Sequence, residues 1–182
     1  MKTFNKKAFT LIEMSIFLAI FALIVSTSIS LFKTTYNKNN IIITKAQEQK
    51  IKNSLIGYAA IHGKLPSADT NSDGTGEGAG GLGDIPYIDL NIDEKDKFGM
   101  IYQYDVNDSL ITSSDNNICS ILSDIKLSTT ALPMVESEDN SSKYSIAAVI
   151  ISKGKDKTLS GRNDENNVSN RIYEMKRNKY NE

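Results

Sequence analysis

Between Met14 and Phe32 the chain runs for nineteen residues without a charge, and between Phe9 and Ile56 it contains neither Gly nor Pro. About twenty predominantly apolar residues are what a membrane-spanning helix needs. Lys2, Lys6 and Lys7 precede the run and Lys33 follows it. A lysine-rich start assigns the N-terminus to the cytoplasmic side. With no helix breaker before Gly57, helix is expected to continue to about Ile61, a rod of roughly 80 Å. The hydrocarbon core takes only about 30 Å of that. The outer half, residues 33–62, must therefore project and find a cover of its own. Thr34 to Asn40, with three Asn, is the stretch where a bend or a local melt is expected.

One residue departs from the apolar pattern. Glu13 stands at the start of the run, and a carboxylate at membrane depth is costly unless it has a partner and a role. Around it the chain reads Lys6-Lys7-Ala8-Phe9-Thr10-Leu11-Ile12-Glu13-Met14. This arrangement resembles the type IV prepilins and the pseudopilins of type II secretion. In that family a short basic leader ends in a small residue, usually Gly. Cleavage follows it, the new N-terminal residue, commonly Phe, is N-methylated, and Glu stands fifth in the mature chain. The resemblance implies that Ala8 ends the leader, Phe9 becomes the methylated N-terminus and Glu13 is the assembly residue. Ala8 in place of Gly is the departure from the pattern. Two plainer explanations compete: a secretory signal peptide cut after Ser26-Thr27-Ser28, which Glu13 inside the apolar region argues against, and a signal anchor with no assembly role.

The 182 residues suit one globular domain beside a membrane helix. Loss of the three leader lysines takes the net charge from −1 to −4, so nothing suggests nucleic acid. The single cysteine, Cys119, forms no internal disulfide. The exported part must hold together by packing, with a metal as one possible aid.

Along the outer half of the helix, Ile51, Leu55, Tyr58, Ala59 and His62 share a stripe. Pro66 ends the helix, and Ser67 to Asp84 is a Gly-rich loop by composition. Within it, Asp69-Thr70-Asn71-Ser72-Asp73-Gly74 resembles the start of a calcium loop, with oxygen ligands at alternate positions before a Gly. Asp69, Asn71 and Asp73 are the candidate ligands. The twelfth position, where a bidentate Glu belongs, is Gly80, so an ordinary Asx-rich turn is the competing interpretation. Lys64-Leu65-Pro66 and Asp96-Lys97-Phe98-Gly99 add a weaker likeness to segments of pseudopilin-like proteins.

Met100 to Val106 alternates as a strand, with Met100, Tyr102, Tyr104 and Val106 on one face and Gln103 and Asp105 on the other. Ser109 to Thr112 is expected to pair back as a hairpin. Ile118 to Leu127 has helical spacing. Tyr144 to Ser152, nearly continuous and β-branched, is expected as a central strand. The C-terminal tail offers an edge strand through Ile172 and Tyr173.

Catalytic patterns are missing from the sequence. His62 is the only histidine and lies on the apolar stripe, where a packed or capping role is expected. Cys119, in an apolar stretch, is expected as a buried inert thiol. Asp93-Glu94 and Asp164-Glu165 sit in polar surroundings.

Together these features predict an α+β chain: a leader (1–8), a membrane or filament-core helix (9–32), the amphipathic continuation of that helix (33–62) and a head (63–182). The resemblance implies a pilin-like fold, the outer helix half lying on a small antiparallel sheet. It also implies a non-enzymatic filament subunit, anchored in the inner membrane with a periplasmic head. Prepilin peptidase, an inner-membrane assembly platform and other pilin or pseudopilin subunits would be its partners. Type II secretion pseudopilus, type IV pilus and competence pilus stay open, as does major or minor status. The alternative is a membrane-tethered periplasmic binding module, possibly holding calcium, that does not polymerise.

Overall fold

The computed structural model describes residues 10–77, 81–112, 118–128, 131–136, 142–159 and 170–174. The elements, in chain order, are α1 (Leu11–His62), β1 (Leu82–Asp84), β2 (Gln103–Val106), α2 (Asp108–Thr112), α3 (Ile118–Leu127), β3 (Met134–Glu136), β4 (Lys143–Ser145), β5 (Ala148–Ile151) and β6 (Ile172–Glu174). The architecture is α+β, a long N-terminal helix with small, mainly antiparallel sheets, in keeping with a pilin-like fold. The chain divides into two compact units, residues 1–40 and 41–182.

In the first unit, α1 begins at Leu11 and shows no break through the Asn-rich stretch after Thr34. The local melt expected there as an alternative does not occur.

The second unit, the head, starts with the last turns of α1. Ile51 and Leu55 are buried, and Tyr58 and Ala59 pack against the same core, as the stripe predicted. His62 is exposed. Gly63 takes φ 68° and donates its N–H to Ala59 O at 2.9 Å, a left-handed cap that ends the helix cleanly.

Two three-stranded sheets build the rest. The first has the order β1-β2-β5, all antiparallel, with Tyr104 opposite Gly83 and Ile150. The second has the order β4-β3-β6, with β3–β4 antiparallel and β3–β6 parallel. The sheet is therefore neither single nor purely antiparallel. Tyr102, Tyr104 and Val106 join Ile51, Leu55, Ile85, Leu110 and Ile125 in the main core. Val135 and Tyr173 centre a smaller cluster with Val149 and Ile151. Alternate residues of β5 thus serve different cores, as strand geometry requires.

Two local expectations are corrected. Ser109 to Thr112 is not a returning strand: Asn107 Oδ1 caps Ser109 N at 3.0 Å and starts α2. Tyr144 to Ser152 is not one central strand but two, β4 and β5, in different sheets. Ile146 N bonds Pro133 O while Ala147 O accepts from Asn107 N, so the chain changes partners between them. Both resulting strands lie at sheet edges. Asp105, on the second face of β2, is also buried, at 1% exposed, because both faces of the strand are covered.

Candidate functional site

Every described side chain from Leu11 to Phe32 is exposed, on all faces of the helix. The helix is long and apolar enough to cross a membrane. Three of its hydroxyls are satisfied within the helix. Ser15 donates to Ile12 O at 2.9 Å, Thr27 to Ile24 O at 2.9 Å and Ser28 to Ile24 O at 2.8 Å. That is what a span needs, since hydrocarbon supplies no partner for a bare hydroxyl. A soluble helix would show one polar face; this one shows none over two dozen residues, which suits a membrane anchor.

Glu13 sits in a capping box at the start of this helix. Thr10 N and Thr10 Oγ1 each donate to Glu13 Oε2 at 2.9 Å, and Glu13 N donates back to Thr10 Oγ1 at 3.3 Å. Thr10 is the residue before the first helical one, and Glu13 is the third within it, the two positions the motif uses. The carboxylate thus also faces the positive end of the helix. Ala8 and Phe9 lie outside the described residues.

The loop after Pro66 is more organised than its composition suggests. Asp69 N and Asp84 N exchange hydrogen bonds with the opposite carbonyls at 3.0 and 2.8 Å, closing its base. Asp69 is 1% exposed. Its Oδ1 accepts from Asn71 N and Ser72 N, and its Oδ2 accepts from Gly74 N at 2.6 Å. Hydrogen bonds from the Thr75 hydroxyl and amide hold the exposed Asp73 carboxyl below its ordinary range. Of the candidate ligands, Asp69 and Asp73 come together, but Asn71 turns to Asp73, its Nδ2 donating at 3.1 Å. The third carboxylate of the group is Glu77: one oxygen from each of Asp69, Asp73 and Glu77 lies within 4.8 Å of the others. Glu77 Oε2 accepts from Thr70 N at 2.7 Å and Thr70 Oγ1 at 2.8 Å, while its buried Oε1 has no partner among the described residues. Glu77 is four residues beyond Asp73 and breaks the calcium-loop spacing, so the motif pattern could not single it out.

Elsewhere, His62 stacks on Tyr58 with ring centroids 4.1 Å apart, which fits a packed rather than catalytic role. Cys119 is exposed, not buried. The helical spacing of Ile118, Ile121, Leu122 and Ile125 already turns position 119 outward.

The most elaborate polar constellation was not expected at all. Arg171 Nη2 approaches Asp105 Oδ1 at 2.9 Å, and its Nη1 approaches Asp108 Oδ2 at 3.0 Å. Nη2 also donates to Val106 O at 2.6 Å, and Tyr173 Oη donates to Asp105 Oδ2 at 2.6 Å. Gly81 makes room for it: a Cβ there would collide with Arg171 Nη2, Asp108 Oδ1 and Val106 O. Burial pushes the Asp105 carboxyl up, and the hydrogen bonds from Arg171 and Tyr173 pull it back. Burial also raises the Tyr173 hydroxyl, which keeps it a donor. The cluster ties β6 to β2 and leaves no open space for a substrate; its character is structural.

Comparison with curated proteins and with solved structures finds no match. One family model does match: the prokaryotic N-terminal methylation motif, over residues 3–29. That stretch contains Lys6 and Lys7, the Ala8-Phe9 junction, Glu13 and most of the apolar run. Over its first 29 residues the chain thus carries the prepilin-type cleavage and methylation motif.

Proposed function

We propose that this chain is a membrane-anchored subunit of a helical filament, a type II secretion pseudopilin or a minor subunit of a type IV pilus. Prepilin peptidase would cut it after Ala8 and methylate Phe9. The observation that carries this reading is the conjunction of the methylation motif with a helix whose apolar residues are exposed on every side. Such a helix is stored in lipid, and it can leave lipid without meeting water only by packing among similar helices. Cleavage places a positive amine at Phe9. In a low-dielectric filament core that amine needs a counter-charge, and Glu13 of a neighbouring subunit supplies it. In the single chain Glu13 is held by Thr10. Assembly therefore exchanges two short local hydrogen bonds for an intermolecular ion pair. The reading calls for no catalytic step.

The test combines mass spectrometry with a Glu13 series. The membrane-extracted protein should begin at Phe9 and carry one methyl on its nitrogen; a start at Met1, or near Ile29, overturns the reading. Glu13→Leu should still insert and be cleaved but fail to crosslink into multimers. Glu13→Gln, which keeps a capping oxygen but cancels no charge, should assemble no better than midway between Leu and the parent.

A second reading, a tethered module that binds calcium without polymerising, is favoured by one observation: the buried Oε1 of Glu77, without a partner among the described residues, beside Asp69 and Asp73. Three carboxylates and loop carbonyls are the hard oxygen donors that calcium prefers. Cleavage after Ala8 separates the two readings, because a tether has no need of it.

A further inference from the structure

On one flank of the outer part of α1 the head carries an open groove of about 690 Å³. Leu55, Ile56 and Ala59 of α1, Ile118 and Leu122 of α3 and Ile150 of β5 line it, and Lys45 and Lys52 stand at its edge. Ile56 is 59% exposed and Leu122 39%. An apolar concavity of this size on an exported head marks a contact surface.

The opposite flank of α1 carries a different feature. Gln47 Nε2 reaches Asp93 Oδ2 and Lys95 O, both at 3.4 Å, so the segment from Pro86 to Asp96 lies along that side. Gln47 and Lys52 are five residues apart, roughly 140° around a helix. On this far side the turn at Tyr87 to Leu90 presents Ile88, 57% exposed, pinned by its N–H to Gly74 O at 2.9 Å. The exposed carboxylates of Asp73 and Asp89 flank it. Outside α1, only two other large apolar side chains described in the head are exposed beyond half: Leu127 on α3 and Tyr144 on β4, which packs on α3.

We propose that the groove receives the Ile88 turn of a second copy of this chain. The occupant offers an apolar tip between two carboxylates; the receptor offers an apolar cleft edged by Lys45 and Lys52, with Glu48 beside them, so the edge keeps an excess of positive charge. Because the two surfaces lie on opposite flanks of one helix, the contact is heterologous and does not close on itself. Each copy offers a free turn and a free groove to the next, the geometry that generates open helical assemblies. The inference rests on the filament reading and adds to it a head-to-head contact independent of the Glu13 pairing.

Cys119 makes the test direct, because it is exposed on α3 next to the groove residue Ile118. Full-length chain in membranes is treated with a short bis-maleimide. The parent has one cysteine and can yield nothing larger than a dimer. Ile88→Cys should yield a ladder beyond dimers, lost in Ile88→Cys/Cys119→Ser and lost again when Ala60→Trp fills the groove. Ile88 and Ala60 are both exposed, so these variants keep the fold. An amine-reactive crosslinker on the same membranes reports assembly of any geometry. Amine-linked multimers without the cysteine ladder overturn this contact and leave the filament reading standing. Absence of multimers with either reagent overturns both. A ladder that survives Ala60→Trp, or a strong dimer in the parent from two-fold pairing of grooves, also overturns it.

Discussion

Arg171 and Asp105, sixty-six residues apart in sequence, form the buried ion pair that joins the last described strand to the middle of the head. The guanidinium approaches one Asp105 oxygen with two nitrogens and takes Asp108 and Val106 O with its remaining donors. Removing one partner of such a pair leaves an uncompensated buried charge, so Arg171→Ala should cost about 3–5 kcal/mol. Arg171→Lys keeps the charge but loses the fork, and should fall between parent and Ala. Urea denaturation of the detergent-solubilised chain, followed by head fluorescence, measures both. Gly81→Ala should resemble Arg171→Ala, since its methyl takes the guanidinium's place.

How far this was legible can be judged from particular residues. The methylation motif, α1, α3 and the strand at Ile172 were readable because each is local: an ordered set of residue types, a 3.6-residue period, a β-branched residue beside an aromatic one. Burial of Asp105 was not, because strand alternation assigns it to the outer face and only the second sheet, with Arg171, covers that face. The break between β4 and β5 was hidden for the same reason. Ile146 and Ala147 are apolar and continue the strand pattern, but their backbone partners, Pro133 and Asn107, come from different sheets. Glu77 escaped because a ligand set assembled by loop folding follows no fixed spacing.

The Tyr104 hydroxyl is buried and donates to Pro66 O at 3.1 Å. Tyr104→Phe keeps the ring in the core and strands the carbonyl, so it should cost about 1–3 kcal/mol in the same denaturation assay. A loss below 0.3 kcal/mol would mean that water reaches Pro66 O.

Glu48 lies at the groove edge, and burial raises its carboxyl above the ordinary 4.5; the Lys45 charge opposes that and Asp96 adds to it. The folded chain therefore holds this proton more tightly than the unfolded chain. The group's contribution to stability is complete below 4.5 and is lost as pH rises through its raised value. Glu48→Gln should match the parent near pH 4 and surpass it at pH 7. Denaturation midpoints across that range check it; a constant difference would show that the carboxyl does not titrate in the window.

If calcium binds at Asp69, Asp73 and Glu77, a ligand selective for the folded state must raise the melting temperature. Millimolar calcium should raise it for the parent and leave Glu77→Gln unmoved. Equal shifts in both would place the effect elsewhere, and no shift in the parent would remove the calcium reading.

β6 is parallel to β3 and is the last described strand of the chain. A ribosome delivers it after everything it binds. Until residues 171–173 emerge, Asp105 is a carboxylate in a half-built interior, and β3 offers a free edge to any passing strand. The head thus closes only once residues 171–173 are in place. A chain stopped short at residue 169 would keep its apolar helix and its methylation motif yet display that open edge, which makes β6 the strand that seals the head.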